Sequence, residues 1–203
     1  MPPYFPPGRS WASLNRSERS FCAALYRHEL QTPGSLYTAI KKNCRTPPTL
    51  GSRWSWSAAP LASVPIAATW EVALEASFFR DMYKAIPTAT RPVHFNSLAQ
   101  TTFDLALFSD DAIIVIEAKG LESFGTAQLL RIHGIKDDVR ALCGSNVTVV
   151  VYGLISSKYF TNISGPPMTA SLHLLDGLLS WDALAKAYSG CSTLSQAEAI
   201  YKS

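Results

Sequence analysis

The chain has 203 residues, of which 47% are hydrophobic and 16% charged, and its net charge is +3. This composition is typical of a globular protein, excludes wholesale disorder and, at this length, predicts one domain with a sizeable core. No apolar run approaches the roughly 20 residues of a membrane span, and the Pro-rich start lacks the apolar core of a signal peptide, so we expect a cytoplasmic protein with no membrane partner.

The first third of the chain is its basic part. Residues 1–60 hold eight Lys or Arg and two Glu, a balance of +6, whereas the remainder has a balance of −3. Periodicity predicts helices at about Arg16–Leu30, where Asn15 and Glu18 are spaced as a capping box, and at about Ser35–Lys42. A basic region suits a polyanionic partner, but a solvated basic surface explains the charge equally well.

The next stretch, Thr46–Pro65, is broken by four prolines and a glycine. It carries Arg53, Trp54 and Trp56, and Arg45 lies directly before it. Arginine beside exposed indoles is able to stack on bases or clamp a phosphate backbone, which predicts a nucleic-acid contact. Tryptophans in Pro-rich loops also anchor the loop to a protein core, and this alternative stays open.

A strongly helical pattern follows at Trp70–Ile86, with Thr69 as its N-cap and Glu75 in the middle of its apolar stripe. After a proline, the run Pro92–Leu98 predicts a first strand.

The centre of the chain predicts a β-hairpin. Apolar runs at Phe103–Phe108 and Ala112–Ala118 flank an Asp-rich break. If the two aspartates are the loop residues, the numbers of paired residues sum to 221, and Asp104 is then predicted opposite Glu117. Lys119 lies two residues after Glu117 and is therefore predicted on the same face. Such charges are costly to bury unless they are paired or bound to a metal. A surface salt bridge on an edge hairpin is the alternative interpretation.

The later elements have clear periodicity. They are predicted as a helix at Thr126–Leu142, a buried strand at Val147–Leu154, a short strand at Leu172–Leu175, and helices at Trp181–Tyr188 and Ser195–Tyr201. We therefore expect a core domain at residues 69–203 that follows a basic helical and Pro-rich extension at residues 1–68. The four cysteines are scattered without zinc spacing and are expected to be free thiols.

The hairpin resembles the PD-(D/E)xK nuclease superfamily. Asp104 matches the first Asp of its motif, Glu117-Ala118-Lys119 matches (D/E)xK, and Phe103 replaces the Pro that often precedes the Asp. The resemblance implies an α/β, restriction-endonuclease-like fold, with an αβββαβ core at about Thr69–Leu154 and a central mixed sheet flanked by helices.

The resemblance also implies an activity, a metal-dependent DNA endonuclease of restriction, repair or phage-defence type. Asp104, Glu117 and the carbonyl of Ala118 would bind Mg²⁺, for which Mn²⁺ would substitute. Lys119 would position or deprotonate the attacking water. A homodimer would suit an enzyme that cuts two strands.

Two further site residues are implied by helices that flank the hairpin in the superfamily. An acidic residue on the preceding helix often completes the metal site, which points to Glu75, with Glu71 as its competitor and a solvated helix edge as the alternative. A glutamine on the following helix contacts substrate or water in some members, which points to Gln128 against an ordinary solvated face. Arg131, on the same turns, is predicted to contact nucleic acid.

Two functions from different classes remain. One is the nuclease, which the complete Asp and ExK set favours. The other is a catalytically inactive protein of the same fold that binds nucleic acid or a protein partner. Phosphate-loop, nucleophile-elbow, HExxH and dinucleotide-binding motifs are missing from the sequence.

Overall fold

The computed structural model describes residues 18–46, 57–58, 69–88, 101–120, 124–144, 146–161, 172 and 174–202. Its helices are α1 (Glu18–Gln31), α2 (Ser35–Asn43), α3 (Thr126–Cys143), α4 (Lys158–Thr161), α5 (Trp181–Ala187) and α6 (Ser192–Lys202). Its strands are β1 (Arg45–Thr46), β2 (Ser57–Ala58), β3 (Glu71–Ala76), β4 (Phe103–Phe108), β5 (Ala112–Ala118), β6 (Thr148–Ile155) and β7 (Gly177–Ser180). A π-helical turn at Phe78–Met82 and a 3-10 turn at Tyr83–Ala85 follow β3.

The described strands form one mixed sheet in the order β2-β1-β7-β6-β5-β4-β3. The central pairs β5–β6 and β6–β7 are parallel, and the pairs β3–β4 and β4–β5 are antiparallel. The expectation of a mixed α/β protein with helices beside a central sheet is therefore confirmed. In the described part of the chain, no helix is both long and apolar enough to cross a membrane.

The predicted hairpin is present with the predicted register. Leu105 pairs with Ile116 and Phe108 with Ile113, so paired numbers sum to 221. The turn closes through Ser109, whose amide donates to the carbonyl of Ala112 at 2.9 Å and whose hydroxyl accepts from the Ala112 amide at 3.1 Å. Every residue of β5 is buried because β4 and β6 flank it and helices cover both faces.

Each face of the sheet has its own hydrophobic core. Ile114 and Ile116 of β5 belong to a core that includes residues of α1, α2, α5 and α6. Ile113 and Val115, which alternate with them, belong to the opposite core, formed with α3. Glu117 continues the second series and therefore faces the α3 side.

The predicted helix at Trp70–Ile86 is wrong. Its first part is the strand β3, in which Val72 pairs with Leu107 and Leu74 with Leu105. Ala, Leu and Glu favour a helix intrinsically, but pairing with the apolar strand β4 and the packing of Val72 and Leu74 against the core outweigh that preference. The predicted strand at Pro92–Leu98 lies outside the described residues.

The two helices that we assigned to an amino-terminal extension pack into the core. Phe21 and Leu25 of α1 and Ile40 of α2 have no exposed surface and share a cluster with Ile114. From β3 onward the main elements follow the order of three antiparallel strands, a helix and a parallel strand, whereas α1 is separated from β3 by α2, β1 and β2. The predicted boundary at residue 68 does not separate two cores.

The carboxyl-terminal part differs from the prediction in detail. The short strand is Gly177–Ser180 rather than Leu172–Leu175, and the last helix begins at Ser192. Ser195 and Glu198 have the spacing of a capping box, but Glu198 lies inside this helix and does not cap its start. Its buried carboxylate instead accepts hydrogen bonds from the amides of Ser157 and Asp182.

Candidate active site

Asp104 and Glu117 lie on the neighbouring central strands β4 and β5. The β4–β5 pairing ends at Leu105–Ile116, and Asp104 and Glu117 are the next residue along each strand. The Oδ2 atom of Asp104 accepts a hydrogen bond of 2.7 Å from the amide of Ala118. This bond holds the first carboxylate against the end of β5, beside the predicted metal-binding triplet.

The Glu117 carboxylate is 8% exposed and has two nitrogen partners. Its Oε1 atom lies 3.5 Å from the Nζ atom of Lys119 and accepts a hydrogen bond of 2.5 Å from Nε2 of Gln128, on the first turn of α3. The Lys119 ammonium also lies 5.9 Å from the centroid of the Phe124 ring. The structure thus brings Asp104, Glu117, Lys119 and Gln128 together, as the sequence predicted.

The site carries more negative than positive charge. Burial, and then repulsion by Asp104, raises the pKa of Glu117 to about 7, against the opposing effects of Lys119 and Arg131. Burial also raises the pKa of Asp104, although the Ala118 amide and Lys119 favour its charged form. A carboxylate whose charge is poorly compensated inside a protein is typical of a functional site.

The sequence analysis missed Glu18 as a site residue. This residue, on the first turn of α1, accepts a hydrogen bond of 2.8 Å from the amide of Gly120, directly after Lys119. It also contributes to the raised pKa of Asp104. The available signal was its position on a predicted helix that precedes the strands, but we assigned its carboxylate to a capping box with Asn15, which lies outside the described residues.

We had expected Glu75 and Glu71 on a helix, but both lie on the strand β3. The Glu75 side chain is 44% exposed and pairs with Nε of Arg19 at 3.2 Å. Its φ of 52° is left-handed, and the β3–β4 ladder passes from Leu74 to Ala76 without it. Glu71 pairs with Phe108, at the end of β4 that is far from Asp104.

The predicted nucleic-acid contacts are dispersed. Arg131 is exposed on α3 and acts on the Glu117 carboxylate electrostatically. Arg45 is exposed on β1, which β7 and β6 separate from β5. The predicted contacts Arg53, Trp54 and Trp56 lie outside the described residues.

The carboxylates can serve as part of a metal site. In the ranges that the structure describes, no three His, Cys, Asp or Glu side chains group closely enough to hold a metal ion by themselves. Mg²⁺ does not require such a cage, because it is commonly held by one or two carboxylates, with waters and substrate phosphates as its other ligands. Asp104 and Glu117 supply the hard oxygen atoms that this ion prefers.

No protein-family model, curated protein or solved structure matches this chain. Its function is therefore inferred from its own residues and their geometry.

Proposed function

We propose that the chain is a metal-dependent DNA endonuclease with a restriction-endonuclease-like core. The observation that carries the proposal is the hydrogen bond of 2.7 Å that joins the Asp104 carboxylate of β4 to the Ala118 amide, inside the Glu117-Ala118-Lys119 triplet of β5. The order of β3, β4, β5, α3 and β6 supports it, because it is the βββαβ part of that fold; α1 would supply the first helix, with α2, β1 and β2 inserted after it.

Mg²⁺ fits the charge of this site. Glu117 is buried, Asp104 is half-buried, and burial is the main reason why the pKa values of both carboxyl groups are raised. A divalent cation would offset the cost of keeping both groups charged. Asp104, Glu117 and the carbonyl of Ala118 would hold the ion, and Mn²⁺ would substitute. Such an ion supplies a Lewis acid and lowers the pKa of bound water.

The protein's own side chains orient the reacting groups. Lys119 places an ammonium 3.5 Å from the Glu117 carboxylate, where it would hold the attacking water or a non-bridging phosphate oxygen. Gln128 donates to the same oxygen of Glu117 and so restricts the direction in which that carboxylate points. Both contacts form within the folded chain, so the site is preorganised before substrate binds.

DNA is the proposed substrate because one arginine lies near this carboxylate site and the first third of the chain is basic. Arg131 is exposed near Glu117, and residues 1–60 carry the +6 charge balance. Lysine and arginine contacts to phosphates would overcome the repulsion between DNA and the two carboxylates. Cutting both strands of a duplex would require two sites, for which a homodimer is the simplest arrangement.

One observation favours the second candidate, an inactive protein of this fold that binds nucleic acid or a protein partner. The Oε1 atom of Glu117 already has two partners, Gln128 and Lys119, and the described residues hold no third acidic metal ligand. In such a protein, these contacts would stabilise a site that no longer binds metal.

Cleavage of supercoiled plasmid DNA by the purified chain distinguishes the endonuclease from the inactive binding protein. We expect nicking or linearisation with Mg²⁺ or Mn²⁺ and none with EDTA. Asp104→Ala and Lys119→Ala should each lower the rate at least about 100-fold, whereas Glu75→Gln, on the exposed ion pair with Arg19, should keep it. Undiminished cleavage by either site variant would refute the proposed site. A wild-type chain that binds DNA in Ca²⁺ but never cleaves it would support the inactive binding protein.

A further inference from the structure

The peptide group that follows the catalytic lysine is held at both of its polar atoms. The Lys119 carbonyl accepts a hydrogen bond of 3.1 Å from Nε1 of Trp181, at the start of α5. The Gly120 amide, in the same peptide group, donates to the Glu18 carboxylate on α1 at 2.8 Å. The Lys119 amide donates to the Leu154 carbonyl of β6 at 2.7 Å. These three backbone atoms therefore have partners on three different elements, α5, α1 and β6.

The aromatic residues behind this peptide leave it little room. Trp181 and Tyr201 have no exposed surface and contact each other and Phe21, with ring centroids 5.5–5.8 Å apart. A Cβ atom at Gly120 would come within 2.3 Å of the Tyr201 ring, so only glycine fits there without a shift. These three aromatic residues come from α1, α5 and α6, and the Tyr201 ring lies directly against Gly120 of this peptide group.

We propose that Trp181 and Glu18 form a peptide clamp that positions Lys119 for catalysis, with Phe21 and Tyr201 as its support. The inference rests on the proposed nuclease function. It assigns a role at the active site to α5 and α6, which the αβββαβ core does not include. Trp181 is a positioning residue here, because it acts on Lys119 through the backbone.

The position of the peptide group matters for catalysis because the lysine side chain is long. Four methylene groups separate its ammonium from the backbone, so a small rotation of the peptide moves the ammonium by a larger distance at its end. A misplacement of about 1 Å in an active site is able to cost about 100-fold in rate. A buried indole N–H fixes the peptide with little mobility, because the ring packs in the core.

The test compares Trp181→Phe with Trp70→Phe. Both replace a buried tryptophan by a smaller ring, but only the first removes a hydrogen bond of the described structure, because the Nε1 atom of Trp70 has no partner among the residues that the structure describes. Amide hydrogen exchange is measured by NMR in the metal-free protein. We expect Trp181→Phe to speed exchange about tenfold at Gly120 and also at Ala118, whose amide binds Asp104. Trp70→Phe should leave both rates unchanged.

A second pair of variants acts from the other side of the peptide. Glu18→Ala should speed exchange at Gly120 in the same way, whereas Glu18→Gln keeps an oxygen acceptor and should restore most of the protection. This pair keeps the proposal testable if Trp181→Phe fails to fold.

Plasmid cleavage then measures the catalytic consequence. Trp181→Phe should lower kcat about 10- to 100-fold with KM within about twofold, because the clamp does not contact DNA. Unchanged exchange at Gly120 and Ala118 would overturn the clamp, and faster exchange with unchanged kcat would overturn its positioning role. If the wild-type chain cleaves no DNA, the proposed function fails, and exchange at Ala118 still decides whether the clamp orders the carboxylate site.

Discussion

Replacement of Glu117 by glutamine should make the metal-free protein more stable at alkaline pH. The glutamine removes a buried charge and keeps an oxygen that can accept from Gln128. The pKa of Glu117 is raised from 4.5 to about 7, mainly by burial. A difference of this size corresponds to about 3 kcal/mol of free energy of unfolding, since each pKa unit is about 1.4 kcal/mol.

The sign of the effect follows from proton binding. Between pH 4.5 and about 7, folded Glu117 keeps a proton that the unfolded chain has released. The free energy of unfolding therefore falls as pH rises through this range and is lowest, with respect to this group, above pH 7. Glu117→Gln does not titrate, so its advantage over the wild type should be absent near pH 4.5 and complete near pH 8.

Thermal and urea denaturation in EDTA measures this difference. At pH 8 we expect a gain of about 2–3 kcal/mol, or a rise in Tm of about 4–12 °C for a chain of this size. The matched control is Glu75→Gln, which changes an exposed ion pair with Arg19 and should shift stability by less than about 1 kcal/mol. Added Mg²⁺ should stabilise the wild type but have less effect on Glu117→Gln.

Two results would refute this explanation. An equal gain at pH 5 and pH 8 would mean that charge burial is not the cause. A loss of stability at pH 8 would mean that the contact with Lys119 contributes more than the burial of the carboxylate costs.

Three further predictions concern the packing at Gly120, the buried carboxylate of Glu29 and the phosphate contact of Arg131. Gly120→Ala should lower the free energy of unfolding, measured in urea, by about 1–3 kcal/mol, because its Cβ atom would overlap the Tyr201 ring. The control Gly125→Ala, whose Cβ atom would meet no described atom within 4 Å, should be nearly neutral. Equal effects of the two substitutions would contradict the overlap. Glu29→Ala should cost about 2–3 kcal/mol by the same measurement, because this buried carboxylate accepts from two amides and a hydroxyl at the start of α2, and a neutral result would show that water replaces it. Arg131→Ala should flatten the log–log dependence of DNA affinity on salt by about one unit in Ca²⁺, and an unchanged slope would place the phosphate contacts elsewhere.

The sequence alone was sufficient for the central hairpin and its charged residues. Apolar runs of strand length around an Asp-rich break determine the turn and the register of the pairing. The register predicted Asp104 close to the Glu117-Ala118-Lys119 triplet, and the structure has Asp104 bonded to the Ala118 amide. The helix at Thr126–Cys143 was also predictable from its period, and with it the position of Gln128 beside β5. These features depend on residues close together in the chain, for which local pattern is a strong determinant.

Residues 70–86 show where local pattern was insufficient. Trp70, Val72 and Leu74, spaced by two, all contact the same hydrophobic core, which is a strand pattern, but this stretch also has high helix propensity. The choice between helix and strand was made by the free edge of β4, which needed a partner for its backbone groups.

Only the tertiary structure decided which distant residues complete the site. Glu18 lies 102 positions before Gly120 and Trp181 lies 62 positions after Lys119, yet both bind the same peptide group. No periodicity links such residues, because their contact depends on how α1 and α5 pack against one face of the sheet. Local sequence determined the charged groups of the candidate site, and long-range packing determined what holds them in position.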